Sequence, residues 1–158
     1  MTLVWRIGTD APGYTADDLT GAGAEATGGR WNRKGTPMLY AASSRALACL
    51  ETIVHLNAGG LPLNRYLVEL EIPDRLVKTA LRFVPLEHIG WDAIPEGRVS
   101  LEAGEAWLRE GASAVMFVPS VIVPEEMNIL INPKHGDVRA IRARKVRKWT
   151  YDSRLQRP

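Results

Sequence analysis

The apolar residues of this chain come in short runs, and nearly every run is closed off by glycine or proline. Leu3 to Ile7, Pro37 to Ala41, Tyr66 to Ile72, Ala114 to Val118 and Asn128 to Asn132 read as strands, most of them rich in β-branched and aromatic residues. Only two stretches carry a helical period. One follows a capping serine, Ser43 or Ser44, and runs to about Leu56, with Ala46, Leu47, Leu50, Ile53 and Val54 as its apolar face. The other begins at Ser100, passes through Trp107 and Leu108 and stops at Gly111. Residues 74–100 show no clear pattern, and Val138 to Trp149 reads as a half-exposed strand pair or edge. Strands and helices do not alternate regularly. The expectation is therefore an α+β fold, a mixed or antiparallel sheet with packed helices, in one domain over residues 1–158.

Composition narrows the class. At 46% hydrophobic and 24% charged residues the chain is globular rather than disordered or fibrous. Its one cysteine, Cys49, excludes an intrachain disulfide and a thiolate zinc site, which fits a reducing compartment. The first residues show no basic segment followed by an apolar one, and no apolar run approaches the ~18 residues of a membrane span. A cytoplasmic protein without a membrane partner is expected.

Charge is unevenly spread. Eight basic residues and a single acid lie between Arg139 and Pro158, leaving twelve basic and seventeen acidic residues elsewhere, a net of −5. Such a stretch suits a phosphorylated ligand or nucleic acid, or else forms the solvated face of a strand.

Half of the fourteen glycines fall between residues 8 and 35, a segment with few periodic apolar positions that reads as a long functional loop. Within it, Gly21-Ala22-Gly23-Ala24-Glu25-Ala26 matches a dinucleotide fingerprint loosely. No strand precedes it and Thr27-Gly28-Gly29 interrupts any helix after it, so the context that gives the motif its meaning is missing. Arg30 closes the loop in Gly28-Gly29-Arg30-Trp31-Asn32. Its planar fork of donors suits phosphate or carboxylate, and an internal salt bridge is the plainer alternative.

Glu51 stands at the border of the first helix's apolar face, beside Leu47 and Val54. A carboxylate placed there must be paired or hydrogen-bonded, either by His55 or a loop arginine or in a functional site. Ser120 follows Val118-Pro119 at a bend without a nucleophile elbow, so it is expected to position other groups through a hydrogen bond. His55, His88 and His135 lack metal-ligand spacing and read as structural; no metal site is expected.

Taken in order, these segments resemble the RES domain. The matching pieces are Trp5-Arg6-Ile7, Gly29-Arg30-Trp31-Asn32 with Gly35 and Tyr40, Ala46 through Glu51 to Val54-His55-Leu56, and Val68 to Pro73. Gly104 with Trp107-Leu108, Val118-Pro119-Ser120, Asn128 with Leu130 to Pro133, His135, and Asp152 to Leu155 complete the series. The resemblance implies an ADP-ribosyltransferase-like fold that takes NAD+ as substrate, with no further cofactor, and breaks its nicotinamide–ribose bond. The implied catalytic residues are Glu51, Arg30 and Ser120. Arg30, Tyr40, Ser120 and Asn128 are implied to contact the substrate. The implied setting is a toxin that depletes NAD+ by hydrolysis or phosphorolysis and arrests growth. Its implied partners are a cognate helix-turn-helix antitoxin of the Xre family, which supplies any DNA contact, and a second copy in a homodimer, to which Trp91 or Trp149 would contribute as exposed aromatics. Two alternatives are an ADP-ribosyltransferase acting on a protein, and a non-catalytic module binding nucleic acid through the basic C-terminal stretch.

Overall fold

A computed structural model describes residues 1–56 and 59–155. Seven strands form one mixed sheet: β1 (Thr2–Thr9), β2 (Leu39–Ala42), β3 (Arg65–Ile72), β4 (Leu81–Arg82), β5 (Val115–Pro119), β6 (Met127–Ile131) and β7 (Arg142–Lys148), in the spatial order β4-β5-β6-β2-β1-β3-β7. All pairs are antiparallel except β4 with β5. Four α-helices accompany the sheet: α1 (Ala22–Thr27), α2 (Arg45–Ile53), α3 (Asp74–Lys78) and α4 (Arg98–Glu110).

The alternation of side chains along the strands sorts the core into two faces. Val4, Leu39, Ala41, Val68, Leu70, Val115, Phe117, Ile129 and Ile131 line one. The other carries two clusters. Trp5, Ile7, Ala42 and Leu67 receive Leu47 and Ala48 of α2, while Met116, Val118 and Leu130 receive Trp31, Trp91 and Trp107. Helix α2 starts where Ser44 Oγ accepts the backbone N–H of Leu47 at 3.1 Å, which selects Ser44 over Ser43 as its cap. Helix α4 stops at Gly111, whose φ of 61° is open to glycine at little cost.

Several expectations are corrected. Helix α2 ends at Ile53, short of Leu56, and only Leu47 and Ala48 of the expected stripe region are fully buried; Ala46, Leu50 and Val54 are exposed. The glycine-rich loop contains the short helix α1. The unassigned stretch 74–100 holds α3, β4 and a 3₁₀ turn over Pro85–Glu87 before α4 begins. Residues Gly136–Ala140 form another 3₁₀ turn, so only Arg142–Lys148 of the expected basic strand region is strand. Trp91 is buried and stacked on Trp31 with ring centroids 6.1 Å apart, and Trp149 is half-buried against Tyr151, so neither offers the exposed aromatic expected for a dimer contact.

Strand β7 forms one sheet edge. Its charges are a common guard against unwanted edge pairing, and two of them are already partnered: Arg144 with Glu69 at 2.8 Å and Lys145 with Asp10 at 2.8 Å. No helix among the described residues is long and apolar enough to cross a membrane.

Candidate active site

Three of the five residues singled out in the sequence meet in one hydrogen-bonded group. Helix α2 carries Glu51, the turn after β5 carries Ser120, and β6 carries Asn128. Glu51 Oε1 accepts from Ser120 Oγ at 2.7 Å and from Asn128 Nδ2 at 2.6 Å. Among the described residues neither His55 nor an arginine takes the carboxylate; the partners lie 69 and 77 residues away along the chain. The other oxygen, Oε2, takes no hydrogen bond among the described residues, and Glu51 as a whole is half-buried.

Ser120 is fully buried and its hydroxyl is saturated. It donates to Glu51, and its oxygen accepts the backbone N–H groups of Ile122 at 3.0 Å and Val123 at 3.1 Å. The loop is closed further by Ser120 N–H to Glu126 C=O and Glu126 N–H to Val123 C=O, both at 2.9 Å. A serine held this way positions a carboxylate and is not poised as a nucleophile.

Tyr40 and Arg30 are placed differently. In the β2–β6 ladder Tyr40 lies opposite Leu130 and Ala42 opposite Asn128, so Tyr40 shares the Asn128 face one diagonal step away. Its hydroxyl does not join the Glu51 group. It donates to Asn32 Oδ1 at 2.6 Å and accepts from Trp31 N–H at 3.1 Å, and burial pushes its pKa up. Asn32 Nδ2 in turn donates to the carbonyls of Ala24 and Thr36 at 2.9 and 2.8 Å. Gly29 makes room for this arrangement, since a Cβ there would stand 2.8 Å from the Tyr40 hydroxyl. Tyr40 thus anchors the loop that presents Arg30. Arg30 makes no salt bridge among the described residues; its Nη1 donates to the carbonyls of Trp91 at 3.0 Å and Ala93 at 2.9 Å, leaving Nε and Nη2 unspent.

Sequence reasoning missed one residue. β1 and β2 share a single ladder pair, Trp5 with Ala42, and then part. Arg6 lines a cavity of about 50 Å³ at this gap, with Tyr14, Asp18, Leu39 and Tyr40. Its Nε and Nη1 are buried without partners, and burial draws its pKa down against the opposing pull of Asp18 and Tyr14. A buried guanidinium with unspent donors calls for an anionic or polar guest. The available signal was an arginine in the middle of the otherwise apolar run Leu3 to Ile7.

A family model described as the RES domain matches residues 3–154. The chain is 61% identical over 157 residues to the "Prs ADP-ribosylating toxin" of Sphingobium sp. (strain YBL2), covering 99% of this chain and 98% of that protein. It is 34% identical over 155 residues to "Toxin Res" of Pseudomonas putida (strain KT2440), covering 97% and 99%. A "Toxin Res" of Yersinia enterocolitica is 38% identical over 123 residues, covering 77% and 79%. The chain belongs to the RES domain family, whose fold is ADP-ribosyltransferase-like, and it is a toxin of that family.

Proposed function

We propose that this toxin takes NAD+ as substrate, breaks its nicotinamide–ribose bond and passes the ADP-ribosyl group to a protein side chain. The observation that carries the first step is the state of Glu51, with one oxygen fixed by Ser120 and Asn128 and the other without a partner among the described residues. Breaking an N-glycosidic bond builds positive charge on the ribose. The bonding electron pair leaves with the pyridinium nitrogen, so nicotinamide departs neutral and requires no general acid. A single oriented carboxylate then suffices. Glu51 Oε2 holds a ribose hydroxyl and steadies the cation, and its orientation is set before the substrate arrives. The acceptor adds to the ribose carbon, and the proton it loses passes to Glu51 or to water.

Arg30 offers the edge of its guanidinium that Trp91 and Ala93 leave free, and takes the pyrophosphate. Tyr40 bounds the substrate's space while holding the Arg30 loop, and Asn128 keeps Glu51 turned toward the ribose.

The protein acceptor is supported by the name of the Sphingobium relative, at 61% identity across almost the whole of both chains. A second reading keeps the same bond cleavage but gives the ribose carbon to water or phosphate, which degrades NAD+ outright. What favours keeping it is that Ser120 and Asn128 orient Glu51 for bond cleavage whatever the acceptor is. In either case the proposed setting is a toxin–antitoxin pairing, with a helix-turn-helix antitoxin of the Xre family covering the site and carrying the DNA contact, and a homodimeric toxin; the names of the toxin relatives support the pairing.

Purified protein with adenine-labelled NAD+, tested with and without phosphate and with and without purified Prs, decides between these readings. Transfer predicts free nicotinamide together with label on Prs. Free ADP-ribose or its 1-phosphate with unlabelled protein supports degradation instead. Intact NAD+ in every arm rejects both.

A further inference from the structure

Leu50, Val54 and Ile122 expose large apolar side chains around Glu51, at 38%, 58% and 38% of their full accessibility. The periodicity of α2 predicts Leu50 and Val54 as core residues, so their exposure requires a reason.

Their placement follows from the helix. At about 100° per residue, Leu50 and Val54 fall on one flank of Glu51 and Thr52 falls on the other. The Thr52 hydroxyl is hydrogen-bonded to that of Tyr151 at 2.7 Å, on the side of the chain that leaves β7. Leu50 and Val54 therefore flank Glu51 on the side of β6 and β5. Ile122 belongs to that side too, since its N–H bonds the Ser120 hydroxyl that donates to Glu51. The closed 120–126 loop presents Ile122 and, just beyond it, the exposed Glu125.

We propose that Leu50, Val54 and Ile122 are the docking surface for the protein that receives ADP-ribose; this rests on the transfer reading above. An acceptor side chain has to reach the ribose carbon held at Glu51, so the surface of the acceptor protein must cover the residues that frame that carboxylate. Those residues are apolar with a carboxylate at their margin. The matching partner presents apolar side chains beside its acceptor residue and a basic residue facing Glu125. The nicotinamide and adenine rings of NAD+ can also pack on apolar side chains, so release from NAD+ alone is measured beside transfer to separate the two uses.

The test uses the uncharged substitutions Leu50→Gln, Val54→Gln and the double variant in the full chain. Both positions are exposed and glutamine is a good helix former that adds no charge beside Glu51, so folding is retained. Three quantities are measured: nicotinamide release from NAD+ alone, labelled transfer to purified Prs, and mass in solution. The expected result is release at the wild-type rate, unchanged mass, and transfer lowered about tenfold or more through a raised KM for Prs. Transfer by the double variant equal to wild type, release that falls in parallel with transfer, or a changed oligomeric mass (which marks the patch as a contact between copies) each overturns the docking surface. Wild-type protein that releases nicotinamide but never labels Prs removes the transfer reading, and the docking surface with it.

Discussion

Ser120 Oγ lies 2.7 Å from Glu51 Oε1 and donates its only proton to it, while two backbone N–H groups of its own loop, from Ile122 and Val123, fix that hydroxyl from behind. Orientation thus passes from a folded turn through a serine to a carboxylate. The part of Glu51 that meets a ligand is the oxygen this arrangement leaves free.

Ser120→Ala removes a hydrogen bond to a charged group and strands two amide donors. Bonds of that kind are worth about 1.5–3 kcal/mol. Nicotinamide release is expected to fall roughly 10- to 100-fold, with a measurable drop in Tm. A variant that melts lower yet turns over at full speed shows that Ser120 supports the loop and not the carboxylate.

Arg30→Lys separates a forked donor from a point charge. Arg30 Nη1 already bonds two carbonyls. A lysine ammonium cannot keep both carbonyls and also serve a pyrophosphate bidentately. The KM for NAD+ should rise about tenfold or more, for a loss near 1.4 kcal/mol, with little change in Tm. Steady-state kinetics check this, and an unchanged KM assigns Arg30 to holding the 91–93 segment alone.

The fold was legible in the sequence wherever a short-range pattern decided it. The strand runs, the serine cap of α2 and the stop at Gly111 are each fixed by a few adjacent residues. What escaped depends on distant contacts. Helix α2 looked like a core helix because its stripe is apolar, but the sheet beneath receives only Leu47 and Ala48. Residues 74–100 carry little periodicity because their order comes from aromatic packing, with Phe83 edge-on to Trp31 at 4.8 Å and Trp91 stacked on it. The same limit holds for the site. Glu51 was conspicuous as an acid on an apolar border, whereas its true partners and the orphaned donors of Arg6 emerge only when β1, β2, β5 and β6 are assembled.

Gly104 tests how tightly the Arg30 loop is held. In α4 its Cα faces the backbone carbonyl of Trp31 so closely that a Cβ would overlap the oxygen. Gly104→Ala should cost about 1–3 kcal/mol through overpacking. That lowers Tm by several degrees and raises the KM for NAD+ as Arg30 shifts with Trp31. An unchanged Tm means that α4 does not brace this loop.

The link between Asp10 and Lys145 makes stability depend on pH. The Lys145 ammonium and the Ala16 N–H hold the Asp10 carboxyl below its usual range, and the same contact raises Lys145. A carboxyl depressed on folding stabilises above its unfolded value, near 3.9, and loses that contribution as pH falls through its folded pKa. A raised lysine contributes fully below about 10.4 and loses it as pH climbs through its folded pKa. Asp10→Asn should therefore unfold more easily than wild type at pH 7, and the gap should be smaller at pH 3, below the unfolded value. Urea melts at the two pH values read this directly, and a gap of equal size at both assigns the effect to packing.

The most direct measurement is nicotinamide release by Glu51→Gln with NAD+ as the only substrate. Glutamine keeps the size of the side chain and an oxygen to accept from Ser120 and Asn128, so Tm should stay near that of wild type. Without the charge that steadies the ribose cation, release should fall by about 10²- to 10³-fold. Release at the wild-type rate from a folded Glu51→Gln protein contradicts the assignment of Glu51 as the catalytic carboxylate.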